Sequence, residues 1–456
     1  MTGTERLEDR IDIATAIDSA PIGRFAISIV LLCAAVALLD GYDTLAISYV
    51  APVIAAAWKL PKEAFGPIFS AHYIGAAIGA AAFGMLADRY GRRPIIMAST
   101  ATFGIFALLT PLTYDFTSLL AVRLLTGVGL GGALSAVIAM VAEYSPARHR
   151  ATLVSVMYAA FPLGGVIGGP LSAYVIPNFG WQQVFLIGGI APGILLLLLA
   201  VALPESVRFL LVRGSDPKRV AAIMQRMIPG KPVEYAAFAP PPSESAAATP
   251  HRELLSRNYA RLSILLSFAS FITQLIIVYV ITWMPTLLTS AGLPLGRAIL
   301  ASATFSLGGI IGSLLLARLI DRQNSYRALI VAYLASALAV GAIGFSTFNA
   351  GFLIAAVGLA GVTIVGAQVN LSAYAAAVYP TSIRSTGIGW VVGIGRLGAI
   401  AGALLGTALV AAGLELQAQY LIAAIPALFA GLAVALTRTQ QQVQAEINAR
   451  AAQPAR

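Results

Sequence analysis

The sequence predicts an all-α membrane protein of twelve spanning helices, and three observations carry that reading. Of its 456 residues, 59% are hydrophobic and only 11% charged. That is too little charge to cover a soluble domain of this length, where Lys, Glu and Asp normally sit. Apolar runs of about 20 residues, the length of one bilayer crossing, recur along almost the whole chain. The basic residues behind the net charge of +10 gather in alternate loops, the placement expected of a positive-inside bias and not of a nucleic-acid partner.

Taken in order, the chain opens with a tail, 1–23, carrying Glu5, Glu8, Asp9, Asp12 and Asp18. It has no small-residue cleavage site and reads as cytosolic, not as a signal peptide. A first half, 24–204, holds spans at 24–50, 65–87, 94–112, 117–143, 150–176 and 182–203. A linker, 205–260, is rich in Pro, Ala and charge, with Pro240, Pro241 and Pro242 ahead of Ser243 to Ala248. It reads as a mostly flexible loop. A second half, 261–437, holds spans at 261–289, 297–320, 327–346, 350–378, 385–411 and 418–436, and a tail, 438–456, follows.

With the N-terminus inside, 24 of the 29 Lys and Arg residues fall on the cytosolic side. Lys59, Lys62 and Arg297 fall outside, and Arg123 and Arg396 lie within apolar helices. Both termini are therefore expected in the cytosol. The single cysteine, Cys33, excludes an internal disulfide.

The second half repeats the first. Pro146, Arg150 and Thr152 return as Pro380, Arg384 and Thr386, all at an offset of 234. Gly127, Gly132, Gly164 and Gly168 return at the same offset as Gly361, Gly366, Gly398 and Gly402, and Asp88-Arg89 returns as Asp321-Arg322 one residue short of it. Two six-helix halves joined by a cytosolic loop, and related by an axis along the membrane normal, resemble the major facilitator superfamily. That architecture implies a substrate site near the midplane, lined by helices one, four, seven and ten.

Several constellations carry chemistry. Gly84 to Pro94, with Asp88, Arg89, Arg92 and Arg93, combines a tight turn needing glycine with basic groups at a helix end. It reads as a gating latch or as a plain positive-inside anchor, and Glu143, Asp321, Arg322 and Arg384 belong to the same gating set. Asp40 and Asp43 place two carboxylates one turn apart on a single face of helix one. Charges at membrane depth usually face a pore, and two close acids favour reversible protonation of one. Asp43 could instead be solvated near a helix end.

Arg123 in helix four and Arg396 in helix eleven each need an anion, which is either a substrate carboxylate or an internal acid. Gln274 occupies the repeat position of Asp40. With Gln368, Asn370 and Tyr374 of helix ten it is a candidate for the cavity, and helix-packing hydrogen bonds are the rival reading. His72 reads as structural.

At these motifs the chain resembles the aromatic acid:proton symporters of bacteria. The resemblance rests on Asp40-Gly-Tyr-Asp43, Arg123 to Gly132, Glu143-Tyr-Ser-Pro146, Pro204 to Phe209, Tyr379 to Trp390 and Gly393-Ile-Gly-Arg396. It implies proton-coupled uptake of benzoate- or hydroxybenzoate-type carboxylates by alternating access, across a bacterial inner membrane. Combined with the reading of the residues themselves, Asp40 and Asp43 are the candidates for proton coupling, and Arg123, Arg396, Gln274, Gln368, Asn370 and Tyr374 those for substrate binding. Some members carry a histidine where Asn324-Ser325-Tyr326-Arg327 stands, so no role for it is carried over.

A drug:proton antiporter is the first alternative, but Gly165 to Pro170 supplies only half of its helix-five pattern. A sugar porter, suggested by Pro204-Glu205-Ser206, lacks the other signatures, and a transporter-like sensor is the third possibility. No Ser/His/Asp set, metal cluster or phosphate loop points to an enzyme. No cofactor, metal or nucleic acid is expected; the partners are protons, a small aromatic carboxylate and the lipid bilayer around a monomer.

Overall fold

A computed structural model describes residues 22–214, 217–227, 259–322, 325–346, 349–380 and 383–451, with 11, 12, 17, 18, 238, 239 and 253–256 besides. For 11, 12, 217, 238, 239, 320–322, 325 and 438–451 the description is of the backbone alone. Among the described residues, twelve helices are long and apolar enough to cross a membrane. Helices 1 to 6 are Arg24–Trp58, Phe65–Tyr90, Arg92–Leu109, Phe116–Glu143, Ala147–Phe179 and Gln182–Ala202. Helices 7 to 12 are Ala260–Ser290, Leu295–Arg322, Ser325–Ile343, Ala350–Val378, Arg384–Ala411 and Leu416–Ala451. Helix 5 is interrupted at Ala159, and helix 10 carries one π-helical turn, Gly361–Val365.

Local chemistry sets several of these boundaries. Helix 4 begins where the Asp115 side chain accepts from the Ser118 backbone at 2.7 Å and Ser118 Oγ accepts in return from the Asp115 backbone. That reciprocal pair satisfies donors a helix start would otherwise leave bare. Between helices 2 and 3 the chain turns at Gly91 with φ 105°, a conformation that suits glycine because it has no Cβ.

Two regions depart from the expected plan. The start of the linker is helical, at Val207–Val212 and Pro217–Met227. Val220, Ala221, Met224 and Met227 of the second helix are buried while Lys218, Arg219 and Arg226 stay on its polar side, so an amphipathic stripe orders that stretch. Pro240 to Ala248 lie outside the described residues. Helix 12 also runs on to Ala451, through much of the expected tail.

By packing, the chain divides into two units: 1–44, 74–164 and 182–244, and 45–73, 165–181 and 245–456. The first is built on Val36, Phe103, Val137, Met140 and Leu199, all fully enclosed. In it, helix 2 lies so close to helix 4 that a Cβ on Gly79 would overlap the Val128 carbonyl. The second unit repeats the device: a Cβ on Gly312 of helix 8 would overlap the Val362 carbonyl of helix 10. These two contacts are equivalent under the sequence duplication.

The second unit also gathers the ends of helices 1, 2 and 5 onto the second-half helices. Phe69 meets Trp283 edge-on at 5.6 Å, Trp283 donates its indole N–H to the Ala403 carbonyl at 2.9 Å, and Thr407 Oγ1 donates to the Glu63 carbonyl at 3.1 Å. Ala303 Cβ would lie 2.6 Å from a Cβ on Gly169.

Candidate functional site: a charged core in helix 1 and an open face on helix 11

Helix 1 is held in one rotation by the two residues between its acids. A Cβ on Gly41 would overlap the Phe161 carbonyl of helix 5, and Tyr42 donates its hydroxyl to the Val184 carbonyl of helix 6 at 2.8 Å. Asp43 then faces helix 4, where its Oδ2 accepts from Arg123 Nη1 at 3.1 Å. Both side chains are wholly enclosed.

Arg123 Nη2 donates to Thr110 Oγ1 at 2.6 Å and to Thr126 Oγ1 at 3.1 Å, and the guanidinium lies 4.8 Å from the Phe185 ring centroid. The arginine is thus provided with an internal anion, two hydroxyls and an aromatic face. In this conformation it turns to Asp43, not to a cavity. Asp43 Oδ1 and Arg123 Nε are buried without a hydrogen-bond partner, so the pair is incompletely satisfied, and losing either member would strand a charge in a dry site. Asp40, 5% exposed, accepts from Thr44 Oγ1 at 3.2 Å.

At the turn between helices 2 and 3, the predicted gating residues form a network. Arg92 pairs with Asp88 at 2.7 Å and with Glu143 at 3.3 Å. Ser206 donates to Glu143, Arg93 to the Ala200 carbonyl, and Arg213 to the Arg89 carbonyl. Glu205 sits at the centre: one carboxylate oxygen accepts from the backbone of Arg92 at 2.8 Å, Arg93 at 3.2 Å and Ser206 at 2.8 Å. An acid at that position satisfies the open N–H groups of helix 3 and complements its dipole. Asp321 and Arg322 lie in helix 8, but their side chains are outside the described residues. Arg384 donates to the Tyr379 carbonyl at 3.4 Å.

The second-half candidates separate into two sets. Asn370 donates to the Ser313 carbonyl at 3.3 Å and the Gly366 carbonyl at 2.9 Å, and Tyr374 shares a 2.8 Å hydrogen bond with Thr437. Both are buried and tie helix 10 to helices 8 and 12. Gln368 donates to Ser270 Oγ at 3.2 Å while its own carbonyl oxygen is enclosed without a partner. Ser270 and Gln274 both border Gly395 of helix 11. Arg396, half-buried, comes next on that helix. Ser385, Thr386, Gly389, Trp390, Gly393 and Ile394 line a cavity of about 550 Å³ along it. His72 is buried with its ring edge-on to Tyr73 at 5.4 Å.

The family model of the Major Facilitator Superfamily matches residues 32–369 and 266–455. The chain belongs to the major facilitator superfamily. It is 35% identical to the gallate transporter of Pseudomonas putida over 93% of this chain and 94% of that one. It is likewise 35% identical to the 4-hydroxybenzoate transporter PcaK of Pseudomonas aeruginosa, over 94% and 96%. The crystal structure of a D-xylose-proton symporter superposes with a TM-score of 0.71 at 17% identity, covering 90% of this chain and 97% of that one. At that identity the likeness speaks for the fold alone. The superfamily is one of transporters, not enzymes.

For a major facilitator, the residues that sequence reasoning missed are the partners of charges. Thr110, Thr126 and Phe185 around Arg123 are ordinary polar and aromatic residues of apolar runs, and nothing in their spacing marks them. Glu205 had a signal, since it is the only acid between Glu143 and Asp216, but its role depends on a contact more than 100 residues away in sequence.

Proposed function

We propose that this major facilitator is a secondary active transporter for small aromatic carboxylates, taking them up with protons across a bacterial inner membrane by alternating access, both termini cytosolic. The observation that carries this reading is the enclosed Asp43–Arg123 pair one helical turn from Asp40. In this reading Asp43 is held by Arg123, and Asp40, one turn away on the same helix, is the carboxylate that takes up and releases the coupled proton. Buried charges without compensation are expensive. A carrier reorients most readily when Asp40 is protonated and the substrate carboxylate is matched by a cation.

Arg396 fills that second role in this reading, while Arg123 serves as the internal counter-ion of helix 1; Gln274 and Gln368 lie with Ser270 at the packed side of helix 11, by Gly395. Asn370 and Tyr374 act through packing. The names of the relatives, gallate and 4-hydroxybenzoate transporters, support the substrate class. The ionic network from Asp88 to Glu205 serves as a gate on the cytosolic side.

The test is counterflow in proteoliposomes. Proteoliposomes preloaded with unlabelled 4-hydroxybenzoate are expected to concentrate the labelled acid transiently, and to ignore labelled xylose. Arg396→Lys should raise the half-saturating concentration about tenfold, the loss of one charge-assisted bidentate contact. No counterflow with 4-hydroxybenzoate, gallate or benzoate would sink the reading.

A further inference from the structure

The glycines of helix 11 fall into two sets by what surrounds them. At Gly387, Gly395, Gly398, Gly402 and Gly406 an added Cβ would press on Tyr379, Ser270, Phe271, Leu275 or Trp283, so those positions admit no side chain. At Gly389 and Gly393 it would meet nothing within 4 Å. Helix interiors disfavour glycine relative to alanine, and at these two positions no packing within the protein compensates.

Both lie on the side of the helix away from the packed glycines, where they share the 550 Å³ cavity with Ser385, Thr386, Trp390 and Ile394. That volume falls within the range of small-molecule sites, about 300–1,000 Å³. Trp390 is 40% exposed there, an indole with a face available for stacking. Helical periodicity also puts Arg396 on the side of Gly389 and Gly393.

Resting on the functional reading above, we propose that this face of helix 11 is the slot for the substrate's ring, and that Gly389 and Gly393 set how large a ring-plus-substituent it admits. The bare backbone at the two glycines forms a flat floor, and Trp390 is the stacking wall. The hydroxyls of Ser385 and Thr386 meet ring hydroxyls, and Arg396 meets the carboxylate. Planar single-ring acids fit; a side chain on the floor excludes the more substituted ones first.

The experiment is calorimetric titration of the purified full-length protein with benzoate, 4-hydroxybenzoate, gallate and cinnamate, for wild type, Gly393→Ala, Gly389→Ala and Trp390→Ala. With open space around both glycines, each alanine variant should keep or raise the melting temperature. Gly393→Ala should weaken gallate and cinnamate at least fivefold more than benzoate. Trp390→Ala should weaken all four about tenfold, and Trp390→Phe should recover most of that loss. Alanine variants that are folded and affect every acid equally, or none, overturn the slot while leaving the functional reading intact. Wild type that binds none of the four overturns both.

Discussion

Arg123 shows how a single residue can be legible in kind and not in role. A lone arginine in an apolar run demands an anion, and the sequence offered two classes of partner; the geometry supplies Asp43 at 3.1 Å. Because both groups are fully enclosed, Arg123→Ala should cost about 3–5 kcal/mol, the range for stranding one member of a buried pair. The double variant Asp43→Asn/Arg123→Gln removes both charges and should be more stable than either single change. Thermal unfolding in detergent checks this, and a double variant no better than the singles would refute the pairing. Asp115 offers a contrasting case at the protein surface. Its hydrogen bonds from Ser118 hold its carboxyl below the usual carboxylate value. A depressed folded pKa stabilises above the unfolded value, near ~3.9, and that contribution disappears as pH falls through the folded one. Asp115→Asn, which keeps an acceptor at the cap, should therefore flatten the acid limb of the stability profile while changing little at pH 7.

At the scale of elements, Glu205 and Gly66 mark two junctions. Glu205 holds the start of helix 3 through two of its backbone N–H groups. Glu205→Ala should cost about 1 kcal/mol, the low end of the penalty for leaving donors unsatisfied, since the Arg92 and Arg93 N–H groups are only partly buried. Hydrogen exchange confined to the first turn of helix 3 and the adjoining turn would report it. At the other junction, a Cβ on Gly66 of helix 2 would overlap Thr407 of helix 11. Gly66→Val should wedge these helix ends apart and shift the conformational equilibrium. Maleimide labelling of Cys introduced at Thr407 should then rise several-fold in rate, and an unchanged rate would show that the seam yields without opening. The helices themselves were readable because hydrocarbon demands long apolar runs. The helix Pro217–Met227 departs from the loop expected over 205–260: its apolar residues, Val220, Ala221, Met224 and Met227, recur at helical spacing, but the proline-rich stretch beyond it dominates the composition of the linker. Asn370 and Tyr374 admit both a cavity and a packing reading in the sequence, because a polar residue in an apolar helix looks the same whether it binds a ligand or a neighbouring helix. Only the hydrogen bonds to Ser313, Gly366 and Thr437 distinguish the two.

For the whole molecule, the duplication was visible as glycines and prolines at one offset, and the structure gives that pattern a physical reason. Gly79 on Val128 and Gly312 on Val362 are the same helix crossing made twice, and close crossings of this kind admit no side chain. What sequence repetition does not convey is the asymmetry between the halves: an acid pair with its own arginine in one, glutamines and an open glycine face in the other. That asymmetry is the basis for assigning proton handling to helix 1 and ring and carboxylate recognition to helix 11. The claim is tested most directly by uptake of labelled 4-hydroxybenzoate into proteoliposomes under an imposed pH gradient, alkaline inside, comparing wild type with Asp40→Asn. The account predicts accumulation above equilibrium for wild type, abolished by a protonophore, and for Asp40→Asn exchange at near-normal rate with no accumulation. Gradient-driven accumulation that survives in Asp40→Asn, or wild-type accumulation that follows sodium instead of protons, would contradict it.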